Sequence, residues 1–211
     1  MKTLELFSGT QSFSKGVLNR FPSASTTTVD LLPLFQPTYV ADILTFDYRQ
    51  FAPETFDIVW ASPPCTEYSK AKTRGERNLV LADSLVRKSL EIIDYLKPKA
   101  WIIENVGTGL LVQRMEDIRP NLQKVFVDYC CYGKPYRKRT VFWSNIPLAF
   151  NLCPGAGQCP QMEGTKHRGS CGNGTQRYNS VGVSSVWEKD AIPDALIQSL
   201  LEQIIRYRYL T

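Results

Sequence analysis

Apolar residues recur along the chain in short blocks separated by polar turns. The runs TLELF (3–7), TTTVD (26–30) and YVADIL (39–44) read as short extended segments. FDIVWAS (56–62) and AWIIEN (100–105) are apolar at successive positions, as strands buried on both faces are. Residues 79–97 instead set Leu81, Leu85, Val86, Ile92, Ile93 and Leu96 at helical spacing and stop at Pro98. Residues 110–118 read as a helix, KVFVDYCC (124–131) as extended and RTVFWSN (139–145) as the last strand. The short link between those two predicts an antiparallel hairpin. The closing IPDALIQSLLEQIIRYRYL places Leu196, Leu200, Leu201, Ile204 and Ile205 on one face of a helix.

Strands alternating with helices predict an α/β fold, a mostly parallel sheet with one antiparallel strand. Ligands of such sheets lie beyond the carboxyl ends of the strands, where strand order reverses. The polar punctuation falls there: Ser8 and Gly9, Asp30, Asp42, Ser62–Cys65, then Glu104 and Asn105. From Asn151 to Asn179 all period is lost and Gly, Pro, Cys, Gln and Arg dominate. The expected division is a sheet domain at 1–150, a small loop-rich insert at 151–185, and a terminal helix at 186–211 that packs back on the sheet domain.

A chain of 211 residues, 43% hydrophobic and 21% charged, can bury a core without disulfides. MKTLELFSGT is strand-like from the start, so no secretory leader is expected. No apolar run reaches the roughly 18 residues of a membrane span. The expectation is a cytoplasmic protein of a prokaryote, phage or virus, nuclear if eukaryotic, and monomeric by default. Its thiols are then core, metal or catalytic groups. Between Lys134 and Arg177 seven basic residues face one acid, Glu163, while the whole chain carries only +5. That concentration suits a polyanion such as nucleic acid.

The candidate chemistry sits at the strand ends. Cys65 follows two prolines that stiffen the backbone presenting its thiol, a soft nucleophile. Glu104 ends the neighbouring strand, where an acid can give a proton to a substrate nitrogen. Arg137 and Arg139 alternate on an extended segment, which puts both on one face. Taken singly, each has a bland reading: a core sulfur, a capping acid, surface charges. In the insert, Cys153, Cys159, His167 and Cys171 are separated by five, seven and three residues. Four soft ligands in a segment with no apolar core could close a tetrahedral zinc site, although the spacing matches no common finger.

In order, LFSGTQSFSKG, SPPCTEYS, ENVGTGLL and YGKPYRKRTVFWSN resemble the cytosine-5 DNA methyltransferases. That family carries Phe-x-Gly after its first strand, Pro-Pro-Cys after the fourth, Glu-Asn-Val after the fifth and Arg-x-Arg on a later strand. The resemblance runs from residue 1 to about 150, and IPDALIQSLLEQI looks like the family's final helix. It implies a Rossmann-like methyltransferase fold, S-adenosylmethionine as cofactor and cytosine in DNA as substrate. Cys65 would add to C6 of the base, Glu104 would engage N3, and Arg139 with Arg137 would hold the base oxygen and a phosphate. Phe7, Ser8, Gly9 and Pro63 would border the methionine part of the cofactor. Asp30 would accept from the ribose, Asp42 and Ile43 would meet the adenine, and Leu85 would touch the cofactor. Asn105 would hold the loop carrying Cys65, and residues 66–77 would form a flap over the base.

The sequence departs from this pattern at three places. Gln11 stands where the family has a second glycine, and Tyr136 where it has glutamine. Only about 40 residues lie between the Arg-x-Arg strand and the last helix, too few for extensive base reading. Two alternatives stay open: the same chemistry on RNA, and a nucleic-acid-binding or regulatory module without catalysis. An amino-methyltransferase is disfavoured by the thiol after Pro64.

Overall fold

The computed structural model describes residues 1–170 and 191–210. Its main sheet contains β1 (Lys2–Leu6), β2 (Ser25–Asp30), β3 (Tyr39–Val40), β4 (Ile58–Ala61), β5 (Ala100–Val106), β6 (Lys124–Asp128) and β7 (Arg139–Ser144). The order is β3-β2-β1-β4-β5-β7-β6, parallel throughout except for β7, which runs antiparallel to both neighbours. This is the expected Rossmann-like arrangement, including the β6–β7 hairpin. Strand order reverses between β1 and β4, so their carboxyl ends, Leu6 and Ala61, open a crevice side by side.

Side-chain alternation divides the core into two layers. Leu4, Leu6, Val59, Ala61, Ile103, Val141 and Trp143 face α2 (Leu79–Leu96), which returns Val86, Leu90 and Ile93. Ile58, Trp60, Ile102 and Phe142 face α1 (Ser12–Arg20) and α4 (Asp194–Leu210). On that side Phe13 stacks on Trp60 at 5.0 Å between ring centroids. A short α3 (Leu111–Ile118) follows β5. Asn78 caps α2 by accepting from the Leu81 amide at 3.0 Å, and Lys97 closes it in the left-handed conformation just before Pro98.

Two local expectations change, and one helix has no counterpart in the apolar pattern. The 39–44 run is a strand only at Tyr39–Val40, because Asp42 Oδ1 accepts from the Leu44 amide at 2.9 Å and turns the chain. β6 ends at Asp128, and Tyr129–Tyr132 coil into a 3-10 turn closed by Gly133 at φ 87°. The helix α1 lacks a sequence signal: Gln11 caps it with no side-chain hydrogen bond, and Gly16 within it has low helix propensity. Its first amides find their acceptor across the fold, since the buried Glu5 carboxylate of β1 takes bonds from Phe13 N at 3.3 Å and Ser14 N at 2.9 Å. Gly16 is needed because a Cβ there would lie 2.6 Å from Ile197 Cγ2 of α4.

The small insert after β7 contains a two-stranded ribbon, β8 (Met162–Glu163) and β9 (Lys166–His167). Among the described residues no helix is long and apolar enough to cross a membrane.

Candidate active site

The loop from β1 to α1 is wound tightly: Phe7, Gly9 and Gln11 all have positive φ, at 57°, 45° and 58°. Two non-glycine residues in that region mark stored backbone strain, a frequent companion of binding sites. Asp30 at the end of β2 pins the loop, its Oδ2 accepting from Gly9 N at 2.7 Å and its Oδ1 from Leu32 N at 2.9 Å. Gln11, where the family pattern has glycine, bridges out to Phe35 O at 2.6 Å. The left-handed backbone explains why glycine would suit the position, and the side-chain bond is what glutamine adds.

Beside this loop lie two adjoining cavities that share Phe7, Phe35, Ser62 and Pro64. One, of about 350 Å³, is lined by Asp30, Asp42, Ile43 and Leu85 among others. The other, of about 290 Å³, gathers Ser8, Gly9, Pro63, Cys65, Glu104 and Lys138. All eight residues expected at the cofactor therefore line one continuous crevice, and Cys65 and Glu104 converge at its far end. Ser8 Oγ is buried there without a hydrogen-bond partner among the described residues, a donor and acceptor awaiting a polar ligand. An apolar cavity edged by Asp30 and Asp42, opening into a more polar one that holds the orphan Ser8 hydroxyl, fits a nucleoside with a charged amino-acid tail, as S-adenosylmethionine is.

The Cys65 corner is braced from three sides. Asn105, buried on β5, donates to Pro63 O at 2.9 Å and accepts from Val106 N at 3.0 Å, as expected of a residue that holds this loop. Cys65 O accepts from Tyr68 N at 3.0 Å and Ser69 N at 2.8 Å. Buried Tyr68 donates to Asp83 of α2 at 2.9 Å, and Asp83 is paired with Arg114 of α3. The Arg114 guanidinium holds the Asp83 carboxyl below its ordinary range, while burial and then Asp83 push the Tyr68 phenol up. Residues 66–77 close on themselves: Lys72 is 2.6 Å from Glu67, and Arg77 donates to the carbonyls of Glu67, Ser69 and Lys72.

Arg137, just before β7, and Arg139, on one face of that strand, both grip Asp128, which is fully buried. That face carries Val141 and Trp143, whereas Glu104 shares the opposite one with Ile102 and Phe142. The arginines thus do not line the cavity of Cys65 and Glu104; Arg139 borders a neighbouring hollow with Lys70, Gly107 and Gln113, and among the described residues the cation in the Cys65 cavity is Lys138. Tyr136, in place of glutamine, fills the core beneath α4. Glu5 also lines the cavity of Cys65, and its signal in the sequence is an acid inside an apolar strand next to Phe-Ser-Gly. Burial pushes its carboxyl up to about 7 against two amide bonds and the Ser14 hydroxyl that pull it down.

The insert brings Cys153, Cys159 and His167 together, and joins to them Cys130 from the turn after β6. Cys171, the fourth ligand expected from spacing, lies outside the described residues.

Residues 1–129 match the family of C-5 cytosine-specific DNA methylases. A protein of Frog virus 3 (isolate Goorha) named "Probable DNA (cytosine-5)-methyltransferase" is 39% identical over 178 residues, 77% of this chain and 79% of that one. The type II methyltransferase M.AgeI of Thalassovita gelatinovora is 34% identical over 107 residues, 43% of this chain and 23% of its own length. A solved methyltransferase of Entamoeba histolytica aligns over 98% of both chains with a TM-score of 0.57 and 12% identity, which speaks for the fold alone. Family match, viral relative and crevice agree that this chain belongs to the C-5 cytosine-specific DNA methylases.

Proposed function

We propose that the chain transfers a methyl group from S-adenosylmethionine to C5 of cytosine in DNA, with Cys65 as nucleophile. The observation that carries this reading is the meeting of Cys65 and Glu104 in one cavity that continues into the crevice of Asp30, Asp42 and Leu85. In this reading residues 1–150 are the catalytic domain, the insert that follows β7 is a small recognition module, and α4 (Asp194–Leu210) is the closing helix.

Asp30, Asp42, Ile43 and Leu85 hold the nucleoside part of the cofactor, Ser8, Gly9 and Pro63 the methionine part, and Phe7 borders both. When bound, S-adenosylmethionine supplies an electrophilic methyl group. The Cys65 thiolate adds to C6 of the base, forming a C–S bond and moving the ring π electrons toward C5. Glu104 holds a proton at N3, where negative charge would otherwise build. Once C5 carries the methyl group, its proton passes to water, and the electrons of that C–H bond expel the thiolate, restoring the C5–C6 double bond and freeing Cys65. Lys138 supplies positive charge on the cavity wall. Arg139 and Arg137, oriented by Asp128 outside that cavity, meet the phosphate backbone rather than the base. A base reaches such a cavity only by leaving the stack, and the basic stretch from Lys134 to Arg139 attracts the backbone it leaves.

The test is a covalent trap. DNA containing 5-fluorocytosine has no C5 proton to lose, so with labelled methyl donor the wild type is expected to form a stable protein–DNA complex that Cys65→Ser does not form. Methylation by Cys65→Ala at the wild-type rate would refute the mechanism. Parallel assays on duplex DNA, single-stranded DNA and transfer RNA measure the substrate; methylation of RNA alone would replace DNA in the proposal, and methylation of none would leave a binding module.

A further inference from the structure

We propose that Cys130, Cys153, Cys159 and His167 form a structural zinc site that fastens the insert to the catalytic sheet directly behind Arg139. The four ligand atoms lie within 4.8 Å of one another. His167 Nε2 is 3.5 Å from Cys153 Sγ and 3.7 Å from Cys159 Sγ. A tetrahedral zinc with bonds of about 2.3 Å to sulfur and about 2.0 Å to nitrogen sets sulfur and nitrogen ligands roughly 3.5 Å apart. Two of the contacts already stand near that spacing. Three thiolates and an imidazole also make a soft, closed set with no position left for water, which suits zinc and a structural role.

The ligands come from three places that have no other strong reason to meet. Cys130 sits in the turn after β6, Cys153 and Cys159 flank a glycine-rich loop, and His167 is carried by the β8–β9 ribbon. Of residues 151–170 only Cys159 is buried, so this segment has no apolar core to fix its shape. Among the described residues it is tied to the sheet domain by hydrogen bonds: Gly169 N donates to Pro135 O at 2.7 Å, Asn151 N to Tyr132 Oη at 3.2 Å, Asp128 N to Asn151 O at 3.3 Å and Cys153 N to Asp128 Oδ2 at 2.9 Å. A metal cross-link replaces the missing core, as it does in other small modules.

The consequence reaches the arginines. Cys130 lies two residues after Asp128, and the Cys153 amide bonds the same Asp128 carboxylate that holds Arg139. Zinc thereby fixes both backbone segments that position Asp128. This set differs from the one suggested by spacing: Cys130 takes the place of Cys171.

The experiment uses the full chain purified without added chelator. Metal analysis is expected to find about one zinc per chain, and cobalt exchanged for it should give the strong visible bands of a tetrahedral thiolate site. Cys130→Ser should lose the metal while Cys171→Ser and Cys65→Ser keep it. Should Cys130→Ser fail to fold, thiol alkylation of the wild type decides: Cys130, Cys153 and Cys159 should become reactive on chelation, with Cys171 unchanged. Zinc below about half an equivalent that addition of zinc does not raise, or protection of Cys171 by zinc with none for Cys130, would overturn the proposal.

Discussion

Asp128 holds Arg139 through two parallel bonds, Nε to Oδ1 at 3.0 Å and Nη2 to Oδ2 at 2.6 Å, from a position with no solvent exposure. The pair joins the ends of β6 and β7 and sets where the guanidinium can reach. Breaking a buried pair commonly costs about 3–5 kcal/mol, and the 29% exposure of the Arg139 side chain brings the expected loss for Asp128→Asn toward about 2–3 kcal/mol. Chemical denaturation measures it. Burial pushes the Asp128 carboxyl up, but the bonds from Arg139, the Cys153 amide and Arg137 together hold it below the usual carboxylate range. This stabilisation is present at neutral pH and is lost as pH falls through that lowered value, so the wild type should lose more stability in acid than Asp128→Asn does.

Glu5 runs the other way. Its carboxyl is raised from an ordinary 4.5 to about 7, so the folded state binds its proton more tightly than the unfolded chain. The contribution is full below pH 4.5 and fades as pH rises to about 7, a loss of up to about 3 kcal/mol. Glu5→Gln, still able to accept from the amides of α1, is expected to flatten that slope. An unchanged slope in thermal denaturation across this range would show that Glu5 does not titrate there.

Tyr68 links the Cys65 corner to Asp83 and Arg114. Tyr68→Phe removes one charge-assisted bond, with an expected cost of about 1–2 kcal/mol in stability. Because the Tyr68 amide also holds Cys65 O, loosening it should lower kcat by up to ~10²-fold, with little change in KM for nucleic acid. Steady-state kinetics separates the two; a rise in KM alone would place Tyr68 in binding rather than in positioning.

At Gly16 two effects compete. Alanine gains about 1 kcal/mol of helix propensity, but its Cβ would lie 2.6 Å from Ile197 Cγ2 and 3.1 Å from Ile197 Cβ. The second contact is close to the backbone and cannot swing away, so a net loss of roughly 1–2 kcal/mol is expected. Adding Ile197→Ala should recover part of it, and a double-mutant cycle on unfolding free energies tests the coupling.

What the sequence by itself determined is local. The apolar runs of β1, β4 and β5, the helical spacing of α2, and the residues at the strand ends are contiguous blocks whose burial pattern follows from their own order. Phe7, Ser8, Gly9, Pro63, Cys65 and Glu104 could be placed on one crevice because a parallel sheet puts all its strand ends together. The tertiary structure alone decided which distant groups meet. Glu5 caps α1, Asp128 takes both arginines, Lys138 rather than Arg139 enters the Cys65 cavity, and Cys130 joins Cys153, Cys159 and His167. None of these pairings has a period or a neighbour in sequence to announce it. They depend on the register of β6 against β7 and on which face of the sheet each side chain leaves, and a shift of one residue in either would have exchanged the partners.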